Sequence, residues 1–217
     1  MSFDDLFAQH VGTAMARQVA LADLIGERNW SVDLSAGSAT FGDDLRFPIQ
    51  LLGTESHVDG TWLWAWANTE SGLPPALLHL CGWLRDYGAQ SGTAELTDPS
   101  FPLERADGAK LALVASGLTG RPYYRGPYEG GALFFHLEGV PDGPVAPERV
   151  ITVLSQVIQA WPLPHRQVAL AFLTQQGWAV EDRGERLSAR HPDGSTIEIT
   201  FDELGRIAQF GGQIQGR

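Results

Sequence analysis

A single cysteine stands among the 217 residues, so no disulfide can form within the chain. That usage fits a reducing compartment better than a secreted one. Positive charge is also scarce: 15 Lys and Arg face 26 Asp and Glu, for a formal net charge of −11. Such a field repels phosphate and anionic lipid, which argues against nucleic acid and membrane surfaces as partners. The chain has no apolar run of the roughly 18 residues that read as a membrane span. Its acidic start, Met1-Ser2-Phe3-Asp4-Asp5, lacks the basic head of a signal peptide. The expectation is a cytoplasmic protein, in which the Asn29-Trp30-Ser31 sequon has no chemical opportunity.

Several chemistries lack their parts. The six histidines (10, 57, 79, 136, 165, 191) include no His-x-x-x-His pair, and no second cysteine exists to join them on zinc. Neither a Gly-x-Ser-x-Gly elbow nor a Walker loop is present. No cofactor or metal site is expected.

What is present is a sequence with clear periodicities. Phe3, Leu6, Phe7, His10, Val11, Ala14 and Met15 recur at three-and-four spacing, predicting a helix to about Ile25, capped by Ser2 with Asp5 three residues on. The period then switches to two, and Gly and Asp clusters punctuate an antiparallel meander of strands near 30–35, 38–41, 45–52 and 61–67. Pro74-Pro75 opens a helix with Leu77, Leu80, Cys81, Leu84 and Gly88 on one face. A shorter helix follows at 111–118, ended by Gly117 or Gly120, and then a strand at 133–137. The stretch 139–147, with three prolines and two glycines, marks a boundary. Beyond it, helical stripes at 150–161 and 168–175 precede strands at 187–189, 197–201 and 207–210. The expected architecture is α+β. A domain over 1–145 holds a largely antiparallel sheet of about five strands backed by helices. A small helix-pair unit with a β-hairpin and third strand spans 146–217 and, being small, is expected to dock on the first. Residues 1–110 carry 15 acids and 6 bases, while 111–217 carry 11 acids and 9 bases, so the first part is the acidic pole. A basic or neutral protein partner would be favoured there, although general solubility explains the same charge.

The segment Thr61-Trp62-Leu63-Trp64-Ala65-Trp66-Ala67-Asn68 is the most distinctive. As a strand it would present Trp62, Trp64, Trp66 and Asn68 on one face. Three exposed indoles would show about 450–750 Å² of apolar surface, at or above the largest patch a monomer usually tolerates. They must be buried, either in a core or in a ligand groove or protein interface. Asn68 reads as a turn residue or as an amide that fixes a ligand.

With its Gly60–Asn68 motif, a preceding meander that ends in Gly53-Thr54, and Tyr124-Arg125 before Phe134-Phe135, the stretch from about Leu24 to Val140 resembles an uncharacterised bacterial family common in actinobacteria. The resemblance implies a shared fold and no particular activity.

Candidate functional residues are few. His136, between Phe135 and Leu137, is the acid–base candidate, while His10 reads as a core histidine on its helix stripe. Cys81, among leucines, reads as a small buried hydrophobe. Gly126-Pro127-Tyr128-Glu129-Gly130-Gly131 precedes a strand and reads as a hairpin turn rather than a phosphate loop. Arg121, Tyr123, Tyr124, Arg125 and Tyr128 form a polar-aromatic cluster able either to bind an anionic or planar ligand or to latch neighbouring strands together. Two functions follow. One is a non-catalytic binding protein of adaptor, chaperone-like or immunity type. The other is a small-molecule pocket protein or enzyme, with Trp62, Trp66, Asn68, Tyr124, Arg125 and Tyr128 as its binding residues and His136 as its acid–base group. Oligomeric state is left open.

Overall fold

The computed structural model describes residues 1–143 and 145–215; Pro144 of the predicted boundary, and Gly216 and Arg217 of the predicted C-terminal unit, lie outside the described residues. The chain divides into two compact units. One is Met1–Leu6 with Arg17–Asp142, and the other is Phe7–Ala16 with Gly143–Arg217. The chain is α+β, with an antiparallel sheet in each unit.

Helix α1 (Phe3–Ile25) begins where the sequence predicts. Ser2 Oγ accepts from the Asp5 amide, and the Asp5 carboxylate accepts from the Ser2 backbone, closing a capping box. The first unit then forms a seven-stranded sheet in which β1 (Trp30–Asp33), β2 (Ser38–Phe41), β3 (Leu45–Ser56), β4 (Thr61–Trp64) and β5 (Ser100–Pro102) pair in that order. The hairpin of β6 (Tyr123–Tyr128) and β7 (Gly131–Leu137) joins through β7, which pairs antiparallel with β3. The hairpin turn expected over Gly126–Gly131 is therefore confined to Glu129-Gly130, and Tyr123–Tyr128 before it is a strand. Two further strands enlarge the expected five to seven.

Strand β3 is the spine of this sheet. Leu51 lies opposite Phe135 and Gly53 opposite Phe134, so Leu52 is an extra residue, a bulge that bends the strand. Position 53 tolerates only glycine, because a Cβ there would sit 2.4 Å from the Leu63 carbonyl oxygen and 2.5 Å from the Trp62 ring.

After β4 the chain leaves the sheet in a 3-10 turn, Ala65–Ala67, which corrects the expected strand through residue 67. Pro75 opens a second 3-10 turn, Pro75–Leu77, before α2 (His79–Ser91) buries Leu80, Cys81, Leu84 and Gly88. The short α3 (Ala94–Thr97) follows. Helix α4 (Gly108–Thr119) starts on the Asp107 cap, ends at left-handed Gly120, and packs against β3, β6 and β7 with Leu111–Ser116 all buried.

In the second unit, α5 (Pro147–Ala160) and α6 (His165–Gln175) precede a four-stranded sheet in the order β11 (Ile207–Gln213), β10 (Thr196–Phe201), β9 (Arg186–Arg190), β8 (Ala179–Asp182). The expected three strands miss β8, whose Ala-Val-Glu-Asp lacks apolar alternation. Leu187, Ala189, Ile197, Ile199 and Phe201 form the buried face of this sheet. Within the same unit, Phe172 lies against Gly12 so closely that a Cβ at 12 would sit 2.7 Å from it, and Thr13 Oγ1 donates to Gln175 Oε1 at 2.6 Å.

Candidate functional site

The tryptophan segment is divided by its own backbone. Trp62 and Trp64 are fully buried, and they meet edge to face at 5.3 Å. Trp62 also meets Phe134 edge to face at 5.5 Å, and Trp64 Nε1 donates to the Glu95 carbonyl at 2.9 Å. These two rings are core. Because the strand ends at Trp64, Trp66 turns away on the 3-10 turn and carries the Arg85 guanidinium over its ring at 5.5 Å. Asn68 closes that turn and accepts from the Ser71 amide at 3.3 Å, the turn alternative of its two readings. The expected single face of Trp62, Trp64, Trp66 and Asn68 does not form.

The polar-aromatic cluster splits as well, because adjacent residues of β6 point to opposite faces. Tyr124 packs in an aromatic group with Trp30, Phe41 and Phe135, at 4.9–5.7 Å between centroids. Tyr123 points the other way and stacks on Phe134, and its burial pushes the phenol up to about 12. Arg125 shares the face of Tyr123 and approaches Glu55 Oε2 at 4.0 Å. Arg121 pairs with Glu138 at 3.4 Å, and the exposed Tyr128 donates to the Glu55 carbonyl oxygen at 3.3 Å.

Glu55 is the residue the sequence reading overlooked. Its side chain is 9% exposed, and Oε1 accepts from the Gly108 amide at 2.7 Å at the start of α4. A carboxylate there satisfies an amide that the helix cannot and complements its positive end. His57 Nε2 lies 3.5 Å from Oε2. No local pattern signals this arrangement, since Glu55 and Gly108 are 53 residues apart. Glu55 therefore links β3 to the start of α4, and the half-exposed Arg125 of β6 faces its carboxylate.

His136 lies on the face that α4 covers and is fully buried. Neither ring nitrogen makes a hydrogen bond of good geometry. Burial first, then the positive charge of Arg121 and, more weakly, of Arg17, push it down to about 3, so at neutral pH it is an uncharged core residue. Cys81 is equally sealed, and burial pushes its thiol up to about 11.

The surface of α2 holds what the core does not. Trp83 is 47% exposed and stacks on Tyr87 at 5.7 Å with 24° between planes. His79, Asp86 and Gln90 surround the pair as exposed polar neighbours on the same helix face. Arg85, two residues from Trp83, stands on a different flank. The signal for this pair was present in the sequence: Trp83 falls off the stripe of Leu80, Cys81, Leu84 and Gly88.

Among the described residues, no group of three His, Cys, Asp or Glu could hold a metal, and no helix is long and apolar enough to cross a membrane. The fold is thus an α+β protein with aromatic clusters on its strands and an exposed tryptophan stacked on a half-buried tyrosine on one helix. The chain belongs to a family of unknown function, DUF6882, whose model matches residues 4–140. No curated protein and no solved structure matches it.

Proposed function

We propose that this is a non-catalytic, soluble binding protein of the bacterial cytoplasm, of adaptor, chaperone-like or immunity type, that recognises another protein through α2. The observation that carries this reading is the Trp83–Tyr87 stack, an exposed indole resting on a half-buried tyrosine inside a polar rim. Exposed aromatics of this kind are the usual anchors of protein interfaces, because each contributes a large contact area with few rotatable bonds. The acidic balance of the first unit, 18 acids against 8 bases over 1–6 and 17–142, favours a partner with a basic surface and speeds its encounter. The alternative, a small-molecule pocket protein or enzyme acting on a small anionic or planar ligand, has less support because Arg125 already faces Glu55 and Asn68 already binds its own turn.

The test uses a partner captured from cells and then purified. Trp83→Ala is expected to weaken its binding about thirtyfold or more, the mark of an interface anchor. Rising salt should slow association. A partner whose affinity is indifferent to both Trp83→Ala and Tyr87→Ala would overturn the proposal.

A further inference from the structure

The free sheet edges of this protein differ in how they are protected. An edge strand offers unpaired amides and carbonyls to any other strand, and proteins blunt such edges with charge, proline, shortness or a covering segment. In the first unit, β1 is four residues long and ends in Asp33, β5 is three residues with Pro102, and β6 carries Arg125 and Pro127. In the second, β8 is four residues long and ends in Glu181 and Asp182. Strand β11 is guarded only at its start, where a bulge leaves Ala208 unpaired and the Ile207 amide donates to His165 Nδ1 at 3.0 Å; from Gln209 to Gln213 it has none of these devices. It runs seven residues, Ile-Ala-Gln-Phe-Gly-Gly-Gln, without a charge or a proline, and pairs only with β10. Ala208, Gln209, Gly211, Gly212 and Gln213 are exposed, so among the described residues no segment covers these positions.

Gly212 approaches β10 so closely that a Cβ would lie 2.2 Å from the Thr196 carbonyl oxygen, and its φ of 142° is one that favours glycine. Phe210 lies opposite buried Ile199 and is itself only half-buried, leaving apolar surface at the edge.

We infer that β11 is a self-association edge, which pairs antiparallel with β11 of a second copy of this chain to join two four-stranded sheets into one of eight. Two observations select a second copy. The second unit is nearly neutral, with 8 acids and 7 bases over 7–16 and 143–217, so two such units do not repel each other as the first units would. The strand is also self-complementary: a twofold centred on Phe210 sets Gln209 opposite Gly211 of the other copy and brings the two Phe210 rings together.

Sedimentation of the full chain from micromolar to millimolar concentration tests this. A monomer–dimer equilibrium is expected. Its dissociation constant should rise about tenfold or more in the Gln209→Lys, Gly211→Lys double variant, which sets lysines against lysines twice across the twofold. Position 211 has open space for a side chain and lies opposite Glu198 within its own copy, so the variant is expected to stay folded, as circular dichroism checks. Ala179→Lys on the opposite edge, β8, should leave the equilibrium unchanged. In the unmodified chain, amide exchange in β11 should slow as concentration rises. A chain that stays monomeric throughout, a dimer indifferent to the lysine pair, or β11 exchange independent of concentration while a dimer forms would each overturn the inference.

Discussion

His136 offers a direct test of how this core treats a titratable group. An unfolded chain holds histidine near pKa ~6.5, whereas burial and the nearby arginines lower it to about 3 in the folded protein. The folded state therefore binds fewer protons than the unfolded one throughout that interval. Stability contributed by keeping His136 neutral is complete above about pH 6.5 and is lost progressively as pH falls toward 3, at about 1.4 kcal/mol per unit. Between pH 7 and pH 5 the loss amounts to about 2 kcal/mol. Other groups titrate in the same window, so the readout is the difference between wild type and His136→Leu. At pH 7 the leucine variant should be as stable as wild type or about 1 kcal/mol more stable, since it removes two ring nitrogens that lack good partners. At pH 5 its advantage should grow by about 2 kcal/mol. Urea unfolding followed by tryptophan fluorescence reads this as a midpoint shift of roughly 1 M, given a slope of about 1–3 kcal/mol per M. A wild type and variant that lose stability in parallel between pH 7 and 5 would refute the reasoning, and a histidine that titrates near 6.5 by NMR would show that the site admits water.

Three further outcomes follow from the packing. Gly108→Ala should destabilise the protein by about 1–3 kcal/mol in urea unfolding, because overpacking against Phe134 at 2.6 Å and Trp62 at 2.8 Å outweighs alanine's helix preference of at most about 1 kcal/mol. Glu55→Gln keeps an acceptor for the Gly108 amide but removes the charge, and should cost about 1–2 kcal/mol, with Glu55→Ala costing more. Trp83→Ala should change stability by no more than about 0.5 kcal/mol while Trp64→Ala costs about 3–5 kcal/mol, so denaturation separates the surface indole from the core one even where both variants lose a tryptophan signal.

Much of the fold was legible because local patterns agree with their surroundings. The capping box at Ser2, the stripe through α1, and the apolar runs of β2 and β3 each announce themselves within a few residues. Trp62 and Trp64 were misread only in company: the period-two pattern continues through Trp66, but the chain turns into a 3-10 segment after Trp64, and nothing in Ala65-Trp66-Ala67 forbids a strand. Tyr123–Tyr128 hid for the opposite reason, since proline and glycine inside an edge strand look like a loop until β7 supplies the pairing. That Arg125 faces a carboxylate, Glu55, was not legible, because the two residues lie 70 positions apart on strands that meet only through β7.

The sequence by itself determined the acidic balance, the α+β class, the absence of a disulfide, and most helices and strands, because charge, composition and hydrophobic period are properties of neighbouring residues. Tertiary structure alone decided that Trp66 leaves the face of Trp62 and Trp64, which carboxylate holds the start of α4, and which strands lie at the sheet edges. Those depend on residues such as Glu55 and Gly108, or Phe210 and Ile199, that meet only when the sheets assemble. A side chain's chemistry is written in the chain, but its exposure and its partner are properties of the fold.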